Sequence, residues 1–236
     1  MEESHVIHAV RQRVQEWIHA SDWTKVLNLA GMNITELPAD IFAGCSQVQR
    51  IWLFNNQLKE LPSGLFAGCS QLRGVYMEDN QLKELPADLF AGCSQLEQIG
   101  LSYNNLIELP ADLFIGCSKL RSIALHNNQL KELPANILAG CSKLISIWLH
   151  DNQLKELPAD LFMECLHLNL MKFDELLIYG VLWSLPNFDV AEYGTGWAEL
   201  LTNKFPIECA LIKRYRRVAN DPRSYAWSVR KYAVVN

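Results

Sequence analysis

Seven cysteines and six histidines supply the groups in this chain best able to act as nucleophiles, metal ligands or redox centres. Six of the cysteines, Cys45, Cys69, Cys93, Cys117, Cys141 and Cys165, recur at a fixed interval of 24 residues. The seventh, Cys209, lies in the mostly apolar stretch Ile207-Glu208-Cys209-Ala210-Leu211. A reactive thiol needs electropositive, accessible surroundings. Cys209 lacks them and reads as a core thiol. The periodic cysteines occupy a recurring apolar slot, where Cys packs as a small hydrophobe. They read as a packing spine, with a redox or metal role as the alternative. His126 and His150 are also 24 apart, with Asp79 and Asp151 in nearby slots. Their chemistry would be a pH-sensitive contact or a metal site, against a surface that is simply polar. No phosphate-binding glycine loop, HExxH or nucleophile elbow is present. No catalytic residue, metal or cofactor is expected.

The same interval separates Pro38, Pro62, Pro86, Pro110, Pro134 and Pro158. A fixed period of this size means that one supersecondary unit is stacked into a solenoid. The unit reads LxxLxLxxNxLxxLPxxxFxxCxx, as in Val48, Ile51, Leu53, Asn56, Leu58, Leu61-Pro62, Phe66 and Cys69. Over roughly residues 24–173 the chain resembles the leucine-rich repeat family. The resemblance implies an α/β solenoid of about seven coils, with a curved parallel β-sheet on its concave face. It also implies a buried role for Asn56, Asn80, Asn104, Asn128 and Asn152, whose amides would bond to turn backbone. Met32 stands in that slot in the first repeat, which suggests an end coil sealed by other means. Near-identical LP repeats resemble those of bacterial leucine-rich repeat effector proteins, which implies a host eukaryotic protein as partner. Related ubiquitin-ligase effectors have shorter repeats and a large catalytic domain, so ligase activity is not implied. The Cys-rich caps of extracellular relatives are absent from the array's flanks.

Solenoids expose their core at each end and need caps. Val6, Ile7, Val10, Val14, Trp17 and Ile18 fall at helical spacing and predict an amphipathic cap helix within residues 1–23. A helix used for docking or secretion is the alternative. Residues 174–236, punctuated by Pro186, Pro206 and Pro222, predict a helical cap or small helical domain. From Cys209 onward seven basic residues face only Asp221, although the whole chain is −5. An acidic body with a basic end argues against nucleic acid as the ligand of the repeats. No run approaches the roughly 20 apolar residues of a membrane span, and residues 1–5 lack the pattern of a cleaved signal peptide. The unpaired cysteine count predicts free thiols in a reducing, cytoplasmic-type environment, reached after secretion into a host cell if the resemblance holds. A monomer is expected.

The repeats can be compared with one another. Gln-Leu-Lys-Glu-Leu-Pro recurs unchanged at 57–62, 81–86, 129–134 and 153–158, whereas the strand positions between the core leucines vary. Period-two alternation sends those positions to the concave face. The expected contact residues are Arg50, Trp52, Phe54, Tyr76, Glu78, Asp79, Gln98, Ser102, Tyr103, His126, Trp148, His150 and Asp151. Aromatic residues are frequent interface anchors, and Gly100 and Ala124 predict a shallow floor between aromatic walls. Aromatics stacked on each other as a stabilising ladder are the alternative. The function expected is protein–protein interaction. The competing expectation is an adaptor or small enzyme, with the repeats recruiting substrate and 174–236 acting on it.

Overall fold

The computed structural model describes residues 5–20 and 25–155, then 157–158, 161–162, 164–165 and 170–172, the last three as backbone only. Helix α1 spans His5–His19. Seven strands follow: β1 (Val26–Asn28), β2 (Arg50–Trp52), β3 (Gly74–Tyr76), β4 (Gln98–Gly100), β5 (Ser122–Ala124), β6 (Ser146–Trp148) and β7 (Leu170–Lys172). They form one parallel sheet in sequence order, and each residue pairs with the one 24 positions later. Five complete turns of chain join β1 to β6. A constant repeat length holds this register, because a one-residue slip would turn the central Leu27, Ile51, Val75, Ile99, Ile123 and Ile147 out of the core. All six are at most 2% exposed.

Three ladders of identical side chains fill the solenoid. Phe42, Phe66, Phe90 and Phe114 stack with ring centroids 5.6, 6.0 and 6.2 Å apart. The stack stops there because coil five carries Leu138 in that slot. The six periodic cysteines are buried free thiols, as a packing spine requires. Burial pushes the thiols of Cys69, Cys93, Cys141 and Cys165 up to about 12. At pH 8 they therefore stay protonated and unreactive. Iodoacetamide is expected to leave all six unmodified in the native protein and to label them on denaturation, read peptide by peptide by mass spectrometry. Rapid native labelling of any of the six would contradict the spine.

The asparagine ladder works one coil backwards. Asn80 Oδ1 accepts from the Leu58 N–H at 3.0 Å, and Asn80 Nδ2 donates to the Leu53 and Met77 carbonyls at 2.9 and 3.2 Å. Asn104, Asn128 and Asn152 repeat this pattern. Asn56 likewise serves coil one, accepting from Met32 and Ile34 and donating to Leu29. Each amide ties its coil to the preceding one. Met32 begins the array and has no earlier coil to tie, so an apolar residue is tolerated there.

Helix α1 covers the open end of coil one, as the sequence predicts for a cap. Val10 and Val14 join the continuous core, and Val6, Trp17 and Ile18 pack against it. The Arg11 guanidinium reaches both Asp40 oxygens at 3.0 and 3.3 Å. That pair is exposed and adds little, so the apolar face holds the helix in place and is not free for docking. Among the described residues, no helix is long and apolar enough to cross a membrane. The helical region expected over 174–236, with Cys209 and the basic cluster, lies outside the described residues.

Candidate functional site

The outward face of the sheet is the concave one in a solenoid of this type. Its thirteen predicted contact residues do not all behave alike. Arg50, Asp79, Gln98, Tyr103 and Asp151 are exposed, and Trp52, Phe54, Tyr76, Glu78, His126, Trp148 and His150 are half-buried. Ser102 is 3% exposed and presents no surface to a partner, contrary to the sequence expectation. Its neighbours along the row are larger than serine, so the shortest side chain sinks below them.

The aromatics form two local groups instead of one ladder. Trp52 and Phe54, two residues apart on one strand face, tilt together with centroids 6.0 Å apart. Tyr76 folds back over Gly74, where a Cβ would lie 3.0 Å from the ring, and its hydroxyl donates to Gln98 Oε1. The floor expected at Gly100 and Ala124 is half filled. The Glu78 carboxylate lies over Gly100, so that a methyl group there would collide with Glu78 Oε1 and Cδ. Glycine at 100 is what makes room for it. Burial, against a bond from its own backbone N–H and with help from Asp79, raises the Glu78 carboxyl above its ordinary range. Its Oε2 is buried and lacks a hydrogen-bond partner.

On the far side of Ala124 the histidines form a rung. His126 and His150 stack with centroids 4.7 Å apart and planes 19° apart. Tyr103 meets His126 edge-on at 5.4 Å, and His150 Nδ1 donates to Asp151 Oδ2 at 2.6 Å. Among the described residues no group of three His, Cys, Asp or Glu side chains could hold a metal ion. The rung is an aromatic and polar surface.

Tyr103 breaks a backbone rule. The residue after each strand turn adopts a left-handed conformation, with φ between 54° and 56° at Asn55, Asp79, Tyr103, Asn127 and Asp151. Asn and Asp tolerate that region, whereas a bulky side chain there is an outlier. Tyr103 is nonetheless 51% exposed, so core packing does not explain it. The same coil has two further anomalies. Ile107 replaces the lysine of Lys59, Lys83, Lys131 and Lys155, and Ile115 replaces the alanine of Ala43, Ala67, Ala91 and Ala139. They are 41% and 64% exposed. Tyr103, Ile107 and Ile115 are the large exposed hydrophobics of the described residues, and all belong to coil four. Sequence reading named Tyr103 and missed the isoleucines, because it compared strand positions only. Comparing whole repeats would have found them.

A family model described as BspA type leucine rich repeat region matches in six copies, over residues 24–127 and 79–179. The chain belongs to this BspA-type leucine-rich repeat family. No curated protein matches the chain. Among solved structures, a chain of the Drosophila Toll–Spatzle complex, a molecular hub in development and innate immunity, is similar at 29% identity and a TM-score of 0.51. That match covers 62% of this chain and 23% of the other. The APL1 leucine-rich repeat domain gives 24% identity and a TM-score of 0.52 over 63% of this chain and 40% of its own. The APL1B domain gives 23% and 0.53, over 75% and 52%. The two APL1 likenesses concern the fold. The leucine-rich repeat chain spans about a quarter to a half of the length of these structures. Such repeats characteristically serve protein–protein interaction through extended surfaces.

Proposed function

We propose that the chain captures a partner protein on its concave face, with Trp52, Tyr103 and Trp148 as anchors and without catalysing a reaction. The observation that carries this reading is Tyr103, a half-exposed aromatic held at a φ of 55° where sister coils use Asn or Asp. A residue held against a local backbone preference, with an edge contact to His126 but no place in the core, is explained by a role outside the fold. Seven strands at about 4.8 Å span roughly 30 Å, wide enough for a protein contact. Support also comes from the 29% identical chain in a complex of Toll with Spatzle. Resemblance to bacterial effectors makes a host protein the partner and a host cytoplasm the site of action. The buried free thiols suit such a reducing compartment.

The test is a pull-down from eukaryotic lysate with the wild type and a Trp52→Ala/Trp148→Ala variant. The wild type is expected to retain a protein that the variant loses by at least tenfold, since buried aromatic anchors dominate interface energy. Equal capture by a folded double variant would refute concave-face binding.

A further inference from the structure

We infer that the concave face recognises a basic side chain, an arginine or lysine of the partner protein, through Glu78. This rests on the concave-face reading above and names the chemistry that reading leaves open. The Glu78 carboxylate sits on the floor of that face, in the berth left by Gly100, with Oε2 buried and no hydrogen-bond partner. A dry, unpaired carboxylate oxygen is costly, and among the described residues no donor meets Oε2. A cation that draws the flexible carboxylate off Gly100 relieves that cost and forms a charge-assisted bond.

The surroundings suit a cation. Tyr76 lies one strand before Gly100, and Ala124 and Trp148 one and two strands after it. The small Ala124 separates the Glu78 berth from Trp148 and leaves a gap between them, the backbones of Gly100 and Trp148 being about 10 Å apart. A guanidinium in that gap can pair with Glu78 and lie against the indole of Trp148. Among the described side chains charge agrees: Asp79 and Asp151 flank the face on its exposed edge, and the one arginine, Arg50, lies two strands before Gly100, while Lys172 is the register partner of Trp148 on β7. Gly100 itself carries no left-handed φ. An alanine there meets no backbone strain, and the group it displaces is the end of a flexible side chain.

The experiment selects peptides from a displayed random library against the wild type, then measures each winner against Glu78→Gln, Gly100→Ala and Trp148→Ala. Circular dichroism first confirms that all variants fold. Winners are expected to carry Arg or Lys at one recurrent position and to bind Glu78→Gln at least tenfold more weakly. Gly100→Ala, which holds the carboxylate outward, is expected to bind as well as the wild type or better, with the Glu78 carboxyl titrating in the ordinary glutamate range by NMR. Winners that need Trp148 but lack a basic residue, or ignore Glu78→Gln, overturn the cation inference and leave the concave face in place. Winners indifferent to both Glu78→Gln and Trp148→Ala overturn both. A selection without basic enrichment also counts against Glu78.

Discussion

Replacing Asn104 with alanine is expected to cost on the order of 3–5 kcal/mol of stability, because one side chain satisfies backbone groups of two coils. Its Oδ1 accepts from the Leu82 N–H at 3.0 Å, and its Nδ2 donates to Met77 at 2.9 Å and to Leu101 and Ser102 at 3.2 Å. Alanine leaves the Leu82 N–H and the Met77 carbonyl inside the solenoid, where water cannot replace the amide. Each orphaned group costs about 1–3 kcal/mol. The same change at Asn152 makes a useful contrast. Asn152 forms equivalent bonds to Leu130, Leu125 and Leu149 but is half-buried, so water can take over part of its work. Urea denaturation of both variants checks the account. A loss below about 1 kcal/mol for Asn104→Ala, or equal losses for the two, would show that the ladder does not tie the coils.

Tyr103→Asn is expected to move stability and binding in opposite directions. Asparagine is the residue of the sister positions Asn55 and Asn127, and it accepts a left-handed φ readily. Relief of the bulky residue's backbone cost is worth about 1 kcal/mol, less the edge contact with His126. Capture of the partner is expected to fall at least tenfold, as for a central aromatic anchor. A residue that served only the fold would lose stability on replacement and leave capture untouched. Denaturation midpoints and the pull-down, measured on the same preparation, separate the two. A variant that binds normally would remove Tyr103 from the site.

Leu27, Ile51, Val75, Asn56 and the periodic cysteines could be assigned to the interior from the sequence because their roles depend on position within a constant repeat. Where the repeat length is fixed, stacking in register buries the same slots in every coil, and each copy confirms the others. The N-terminal cap was legible for a related reason: Val10 and Val14 follow helical spacing, and an open solenoid end must be covered. The family followed from the same regularity.

The candidate site was legible only as a set of outward positions. Alternation places Ser102, Glu78 and Trp148 on the same face, but it cannot say how far each stands out, which depends on the sizes of neighbours in adjacent coils. Ser102 is buried and Glu78 lies folded on Gly100, and both facts come from contacts between residues about 22–24 apart in the chain. The backbone conformation at Tyr103 is equally a property of the stacked turn, imposed on whichever residue occupies that place. The sequence alone thus determined the repeat, its register and the residues of its core. Tertiary packing decided which outward side chains remain available, because exposure is settled between coils and not along them.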